Sequence, residues 1–93
     1  MGFTKESAVE RAKSDLAKRL KLSDQDIQEK SVTAKDFPDM SLGAPAKDEM
    51  SAQMISSGWQ IYLAANGEDY EYRADKYQLR LKGSDGSNHV IDS

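Results

Sequence analysis

The stretch from Trp59 to Ala74 constrains the fold of this chain more than any other. Trp59, Ile61 and Leu63 alternate with Gln60, Tyr62 and Ala64; Asn66-Gly67 follows; Tyr70, Tyr72 and Ala74 then alternate with Glu71 and Arg73. Alternation is the pattern of a strand buried on one face, and Asn-Gly is the pair that most readily takes the positive φ angles of a type I′ turn. A two-residue turn there fixes the register, with Leu63 opposite Tyr70, Ile61 opposite Tyr72 and Trp59 opposite Ala74. Those six side chains share one face. Gln60 then opposes Arg73 and Tyr62 opposes Glu71 on the other face, which is polar enough for water. A sheet with one apolar face needs a cover.

The opening residues supply it. Val9, Ala12, Leu16 and Leu20 recur at spacings of three and four, with Ala8 and Ala17 beside them, which predicts an amphipathic helix. Thr4 or Ser7 can cap its start, and Ser7 with Glu10 has the spacing of a capping box. After Leu22, Ser23-Asp24-Gln25-Asp26 reads as a polar turn in which Ser23 and Asp26 cap one short extra turn before Ile27. Residues 27–35 read as an edge-like strand around Val32 and Ala34. Met50 to Ile55 reads as a strand joined to Trp59 through a Ser56-Ser57-Gly58 turn. Asp75-Lys76 reads as a tight connection into a last strand built on Tyr77, Leu79 and Leu81, and the Gly-, Ser- and Asp-rich tail from Gly83 reads as frayed. The predicted class is α+β, an N-terminal amphipathic helix packed on one face of a four- or five-stranded antiparallel sheet. It is expected to be a single domain over residues 1–93, with an ordered core at about 5–82 and a flexible tail over 83–93.

Composition excludes several classes of function. The chain has no cysteine, so disulfides, cysteine-based zinc sites and thiol catalysis are all impossible. The N-terminal residues lack the continuous apolar run of a signal peptide and no stretch approaches a membrane span, so the expectation is a cytoplasmic protein that does not insert into membranes. The formal charge is -3. Residues 5–21 are nonetheless net basic and residues 24–50 net acidic. Glu6 and Glu10 in the first turns of the helix and Lys18, Arg19 and Lys21 at its end are what the helix dipole favours. An acidic protein whose aromatic residues are committed to strands is not expected to bind nucleic acid.

Catalytic chemistry has little to stand on. The sole histidine, His89, lies in the tail, and no serine has a nucleophile-elbow setting. Asp36, Asp39, Asp48 and Glu49 cluster around one loop, yet nothing beside them guarantees the burial that would raise a carboxyl pKa for acid catalysis. Neither these acids nor Ser84-Asp85-Gly86-Ser87-Asn88 has the spacing of an EF-hand calcium loop. No catalytic residue, no metal site and no cofactor is therefore assigned. Tyr62, on the open face, is left for contacts.

The loop itself is the notable feature. Residues 36–50, DFPDMSLGAPAKDEM, hold two prolines, a glycine and four acids, which forbids a regular element of any length. Long loops in small domains are functional or disordered, and Phe37, Met40 and Leu42 predict one that is anchored and shaped.

Helix, strand, loop and GWQIYLAANGEDYEYRAD in that order resemble the PepSY-type arrangement, in which a helix precedes a sheet with a Gly-turn hairpin ending in Tyr-x-Tyr and Asp. Residues 37–45, FPDMSLGAP, are similar to the loop Trp-Pro-Asp-x-Ser-Leu-Gly-Cys-Pro of a group of small bacterial proteins common in cyanobacteria. Pro38, Asp39, Ser41, Leu42, Gly43 and Pro45 match; Phe37 replaces the Trp and Ala44 the Cys. The resemblance implies an inhibitory or protein-binding unit of the kind found beside proteases. The expectation is a non-enzymatic protein-interaction module that presents the 37–50 loop to a protein partner through Phe37, Pro38, Asp39, Ser41, Leu42, Gly43 and Pro45, as a monomer or weak homodimer. The alternative is a small-ligand or cation binder using the loop carboxylates.

Overall fold

The computed structural model describes residues 2–47, 49–50, 52–84 and 86–92. Among them an α-helix, α1 (Lys5–Leu20), precedes a 3-10 turn at Asp24–Asp26 and five strands: β1 (Gln28–Phe37), β2 (Ser56–Ala65), β3 (Glu68–Ala74), β4 (Leu79–Ser84) and β5 (Ser87–Asp92). The strands form one antiparallel sheet in chain order. This is the expected α+β architecture. No helix among the described residues is long and apolar enough to cross a membrane.

The central hairpin has the predicted register: Leu63 faces Tyr70, Ile61 faces Tyr72 and Trp59 faces Ala74, with Gln60 opposite Arg73 and Tyr62 opposite Glu71. Asn66 and Gly67 have φ of 53° and 79°, as a type I′ turn demands. Ala8, Val9, Ala12, Leu16 and Ala17 of α1 pack on Ile61, Leu63, Tyr72, Ala74, Leu79 and Leu81, with Trp59 and Tyr70 partly buried against that core. The Tyr72 hydroxyl donates to Asp15 Oδ2 of α1 at 2.7 Å, and Asp15 also accepts from Arg19 Nε at 2.7 Å. Burial, then the neighbouring Asp15 carboxylate, push the Tyr72 phenol far above its ordinary range. A polar tie thus accompanies the apolar helix–sheet contact, and Arg11–Asp92 and Lys13–Glu29 ion pairs add others between α1 and the sheet.

Several local expectations are corrected. Thr4 is the N-cap of α1, and the capping box closes with Ser7 rather than running from Ser7 to Glu10. Ser23 and Asp26 do form the reciprocal cap of the 3-10 turn. β1 reaches Phe37, two residues past the expected end. Residues 52–55 are irregular, while Ser56, Ser57 and Gly58 belong to β2 instead of a turn. Gly58 is needed there for close approach: a Cβ would stand 2.0 Å from the Ala74 carbonyl oxygen. The β3–β4 connection is a four-residue turn in which Asp75 Oδ1 accepts from the amides of Tyr77 and Gln78, and Asp75 N donates to the Gln78 carbonyl. Tyr77 therefore sits in the turn, 71% exposed, while Leu79 and Leu81 are buried as expected. The segment expected as a frayed tail pairs with β4 as β5. The sheet face expected to meet water is covered in part.

Candidate functional site

The cover on that second face is the loop. It leaves β1 at Phe37, crosses the strands and returns to β2 at Ser56, which is the residue paired with Phe37. A first local device shapes it. The Asp39 carboxylate accepts from Ser41 N at 3.0 Å, Ser41 Oγ at 2.6 Å and Gly43 N at 3.1 Å, an Asx-type turn that holds its own backbone. The Ser41 hydroxyl first, and then the Gly43 amide, keep the Asp39 carboxyl below its usual range. Leu42 and Gly43 follow with φ of 60° and 66°. For a leucine this left-handed conformation is strained. Burial of its side chain and capture of its carbonyl hold it there.

Side chains from the sheet and from the β3–β4 turn then grip four loop carbonyls. Gln78 Nε2 donates to the Met40 carbonyl at 2.6 Å, Arg73 Nη1 to that of Leu42 at 2.8 Å, Arg80 Nη1 to that of Ala44 at 3.1 Å, and Asn88 Nδ2 to that of Pro45 at 2.9 Å. The loop therefore travels across β3 and β4 toward β5 as a strap. Arg80 also makes a two-pronged ion pair with Glu49, one arm at 2.8 Å from Nη2 to Oε2 and the other from Nη1 to Oε1. Its Nε donates to Gln78 Oε1 at 2.7 Å. With only 4% of its surface exposed, Arg80 is a buried cation whose charge is fully answered. Glu49 Oε1 additionally accepts from Ala46 N. The Arg80 guanidinium first, and then that amide, lower the Glu49 carboxyl to about 2.

Arg73 and Arg80 face each other directly across β3 and β4. Like charges in that position oppose pairing. Here Glu49 answers one, Glu71 Oε2 answers the other at 2.7 Å from Arg73 Nε, and the strap carbonyls complete both shells. Burial works to raise the Glu71 carboxyl; hydrogen bonds from Gln60 and Arg73 outweigh it and hold the group below its usual range. Arg73 also lies over the Phe37 ring, 5.3 Å from its centroid. Gly43 passes so near that a Cβ would stand 2.6 Å from Arg73 Nη1.

The seven loop residues expected to meet a partner divide. Phe37, Ser41 and Leu42 are buried under the strap, Asp39 and Gly43 are half-buried, and Pro38 and Pro45 are exposed. The first three are anchors. Among the described loop acids each has its own protein partner: Asp36 accepts from Ser57 Oγ, Asp39 holds its own turn and Glu49 holds Arg80, while Asp48 lies outside the described residues. Among the described residues no three histidines or acids come together as a metal site needs. Asn88, from the second stretch of oxygen-bearing residues, binds Gly83 N and the Pro45 carbonyl, and Asp85 is outside the described residues.

Several large apolar side chains face outward. Met54 is 62% exposed, Ile55 75%, Tyr77 71% and Met50 96%, all on the strap except Tyr77. Met40, Ile55 and Tyr77 line one open depression of about 250 Å³ together with Lys76. The Ser56 hydroxyl donates to Met40 Sδ at 3.3 Å, fixing the thioether at its edge. Sequence reading placed Met54, Ile55 and Tyr77 in strands and so missed this group. The signal available was Asp75, whose side chain can close a turn over the next residues and lift Tyr77 out of the alternation.

Comparison with curated proteins and with solved structures gives no match. The family described as "Domain of unknown function (DUF8738)" matches residues 9–82. That span contains the strap, both arginines and the depression beside Tyr77, and the chain belongs to this family.

Proposed function

We propose that this domain is a non-enzymatic protein-interaction module whose contact surface is the outer side of the strap together with the β3–β4 turn. The observation that carries the reading is that Met40, Ile55 and Tyr77 line one open depression, with Ser56, Ser57, Asp75 and Lys76 completing its wall, while the backbone that carries Met40 is clamped from beneath. Large apolar groups held rigidly at a surface are the anchors from which interfaces are built, since little conformational freedom is lost when they dock. Methionine adds adaptability of fit. The resemblance of the helix, strand, loop and hairpin order to the PepSY-type arrangement points to the same class, with a protease as one partner to test. The alternative, a cation or small ligand on the loop carboxylates, has less support, because Asp36, Asp39 and Glu49 serve separate protein partners.

The test uses a fold-neutral surface variant, Ile55→Ser with Tyr77→Ser. It is expected to unfold at the same denaturant concentration as the parent and to lose the partner that the parent captures from extracts. A purified panel of endopeptidases, assayed with parent and variant, checks the protease arm. An identical set of captured proteins for parent and variant argues against the surface.

A further inference from the structure

The edge of the sheet offers a second surface. β1 is ten residues long, pairs with β2 along one side, and among the described residues has no strand along the other. Only Phe37 of β1 is buried. The apolar stripe of α1 rests on core residues of β2, β3 and β4, and from β1 Val32 is partly buried against that core. Val9 and Val32 consequently line an open furrow of about 260 Å³ beside the edge. A free, regular edge is a template for another strand.

We propose that β1 pairs with β1 of a second copy of this chain about a twofold axis, joining two five-stranded sheets into one. An antiparallel pair around such an axis keeps like faces together. From Ser31 to Phe37 the strand alternates without interruption: Val32, Ala34 and Asp36 oppose Ile61, Trp59 and Ser57 on the helix side, and Ser31, Thr33 and Lys35 oppose Tyr62, Gln60 and Gly58 on the strap side. With the axis at Thr33, Val32 meets the partner's Ala34, Ser31 meets the partner's Lys35, and Thr33 meets the partner's Thr33. Lys30, at the bulge between Glu29 and Ser31, comes beside the partner's Asp36. Every pair in this register is small with apolar, polar with polar, or opposite in charge. Other positions are worse. An axis at Ala34 sets Val32 against the partner's Asp36. An axis at Val32 asks Glu29, held on the helix side near Lys13, to face the partner's Lys35 from the opposite face. The bulge then marks where pairing ends.

The absence of cysteine makes the test clean. Light scattering at high micromolar concentration is expected to give twice the chain mass of 10.3 kDa, falling to the chain mass on dilution. Thr33→Cys should form an intermolecular disulfide at least about tenfold faster than Lys47→Cys, because only position 33 meets itself across the axis. Thr33→Lys sets two ammonium groups opposite each other and should be monomeric with the parent's helical circular dichroism. A monomeric parent at high concentration, a Thr33→Lys variant that stays dimeric, or cross-linking no faster at 33 than at 47 would overturn the proposal.

Discussion

Gly58 shows how a single atom can govern this fold. Its missing Cβ lets β2 press against the Ala74 carbonyl, with which a methyl would collide at 2.0 Å. The obstacle is backbone, the end of β3 and the start of the turn at Asp75, and it cannot swing away as a side chain could. Gly58→Ala is expected to destabilise the protein by about 3 kcal/mol, at the upper end for overpacking, as read from urea unfolding. Leu42 is the converse case, a side chain whose burial holds a left-handed backbone. Leu42→Ala should cost about 2–5 kcal/mol through the cavity it leaves. Glu49 carries a pH signature. Its carboxyl titrates at about 2 in the folded protein against an ordinary 4.5, so the folded state binds its proton less readily than the unfolded chain does. The stability it supplies is complete above about pH 4.5 and is lost as pH falls toward about 2. Asp39, also lowered, adds to the slope in the same direction. Glu49→Gln should flatten the acid limb of a stability–pH profile without altering its neutral plateau's slope.

At the scale of elements, the helix and the hairpin are governed by patterns that repeat, and these were legible in the sequence. The stripe of α1 and the alternations of β2 and β3 each give several votes for the same face, and the Asn66-Gly67 turn ties two of them into one register. The strap has no period. Its shape comes from one carboxylate, two left-handed residues and four side chains from elsewhere in the chain, Gln78, Arg73, Arg80 and Asn88. Of the candidate site, Phe37 and Leu42 were recognisable as anchors. Their burial was not, because the Arg73 and Gln78 groups that complete their shelter lie some thirty to forty residues further along, at separations of 31 and 38 from the carbonyls they bind. Arg80 is the central clamp, joining strap to sheet at Ala44 and Glu49. Arg80→Met removes both grips and leaves Glu49 without its cation. Hydrogen exchange is expected to speed up at least about tenfold at amides 41–49 while the amides of α1 keep their protection.

The whole molecule is a three-layer arrangement: α1, the sheet, then the strap. Its radius of gyration, 12.5 Å, is close to the roughly 12 Å of an ordinary compact chain of this length. If the strap were an appendage for display alone, it could be removed. Phe37 and Ser56 are paired neighbours, so a short glycine linker in place of residues 39–54 can close the β1–β2 connection sterically. That shortened chain strips the cover from Phe37, Arg73 and Arg80, and is expected to lose at least half the parent's unfolding free energy in a urea titration; full retention would show the strap to be dispensable to the fold. The sequence by itself determined that a helix stripe meets one face of an antiparallel hairpin, because periodic burial and turn chemistry are local properties that neighbouring residues state repeatedly. Only the tertiary structure decided that polar side chains on the other face, chief among them the facing Arg73 and Arg80, were not there for water. An arginine on an alternating strand looks the same whether it meets solvent or a distant carbonyl, and the difference lies in where the rest of the chain is brought to stand.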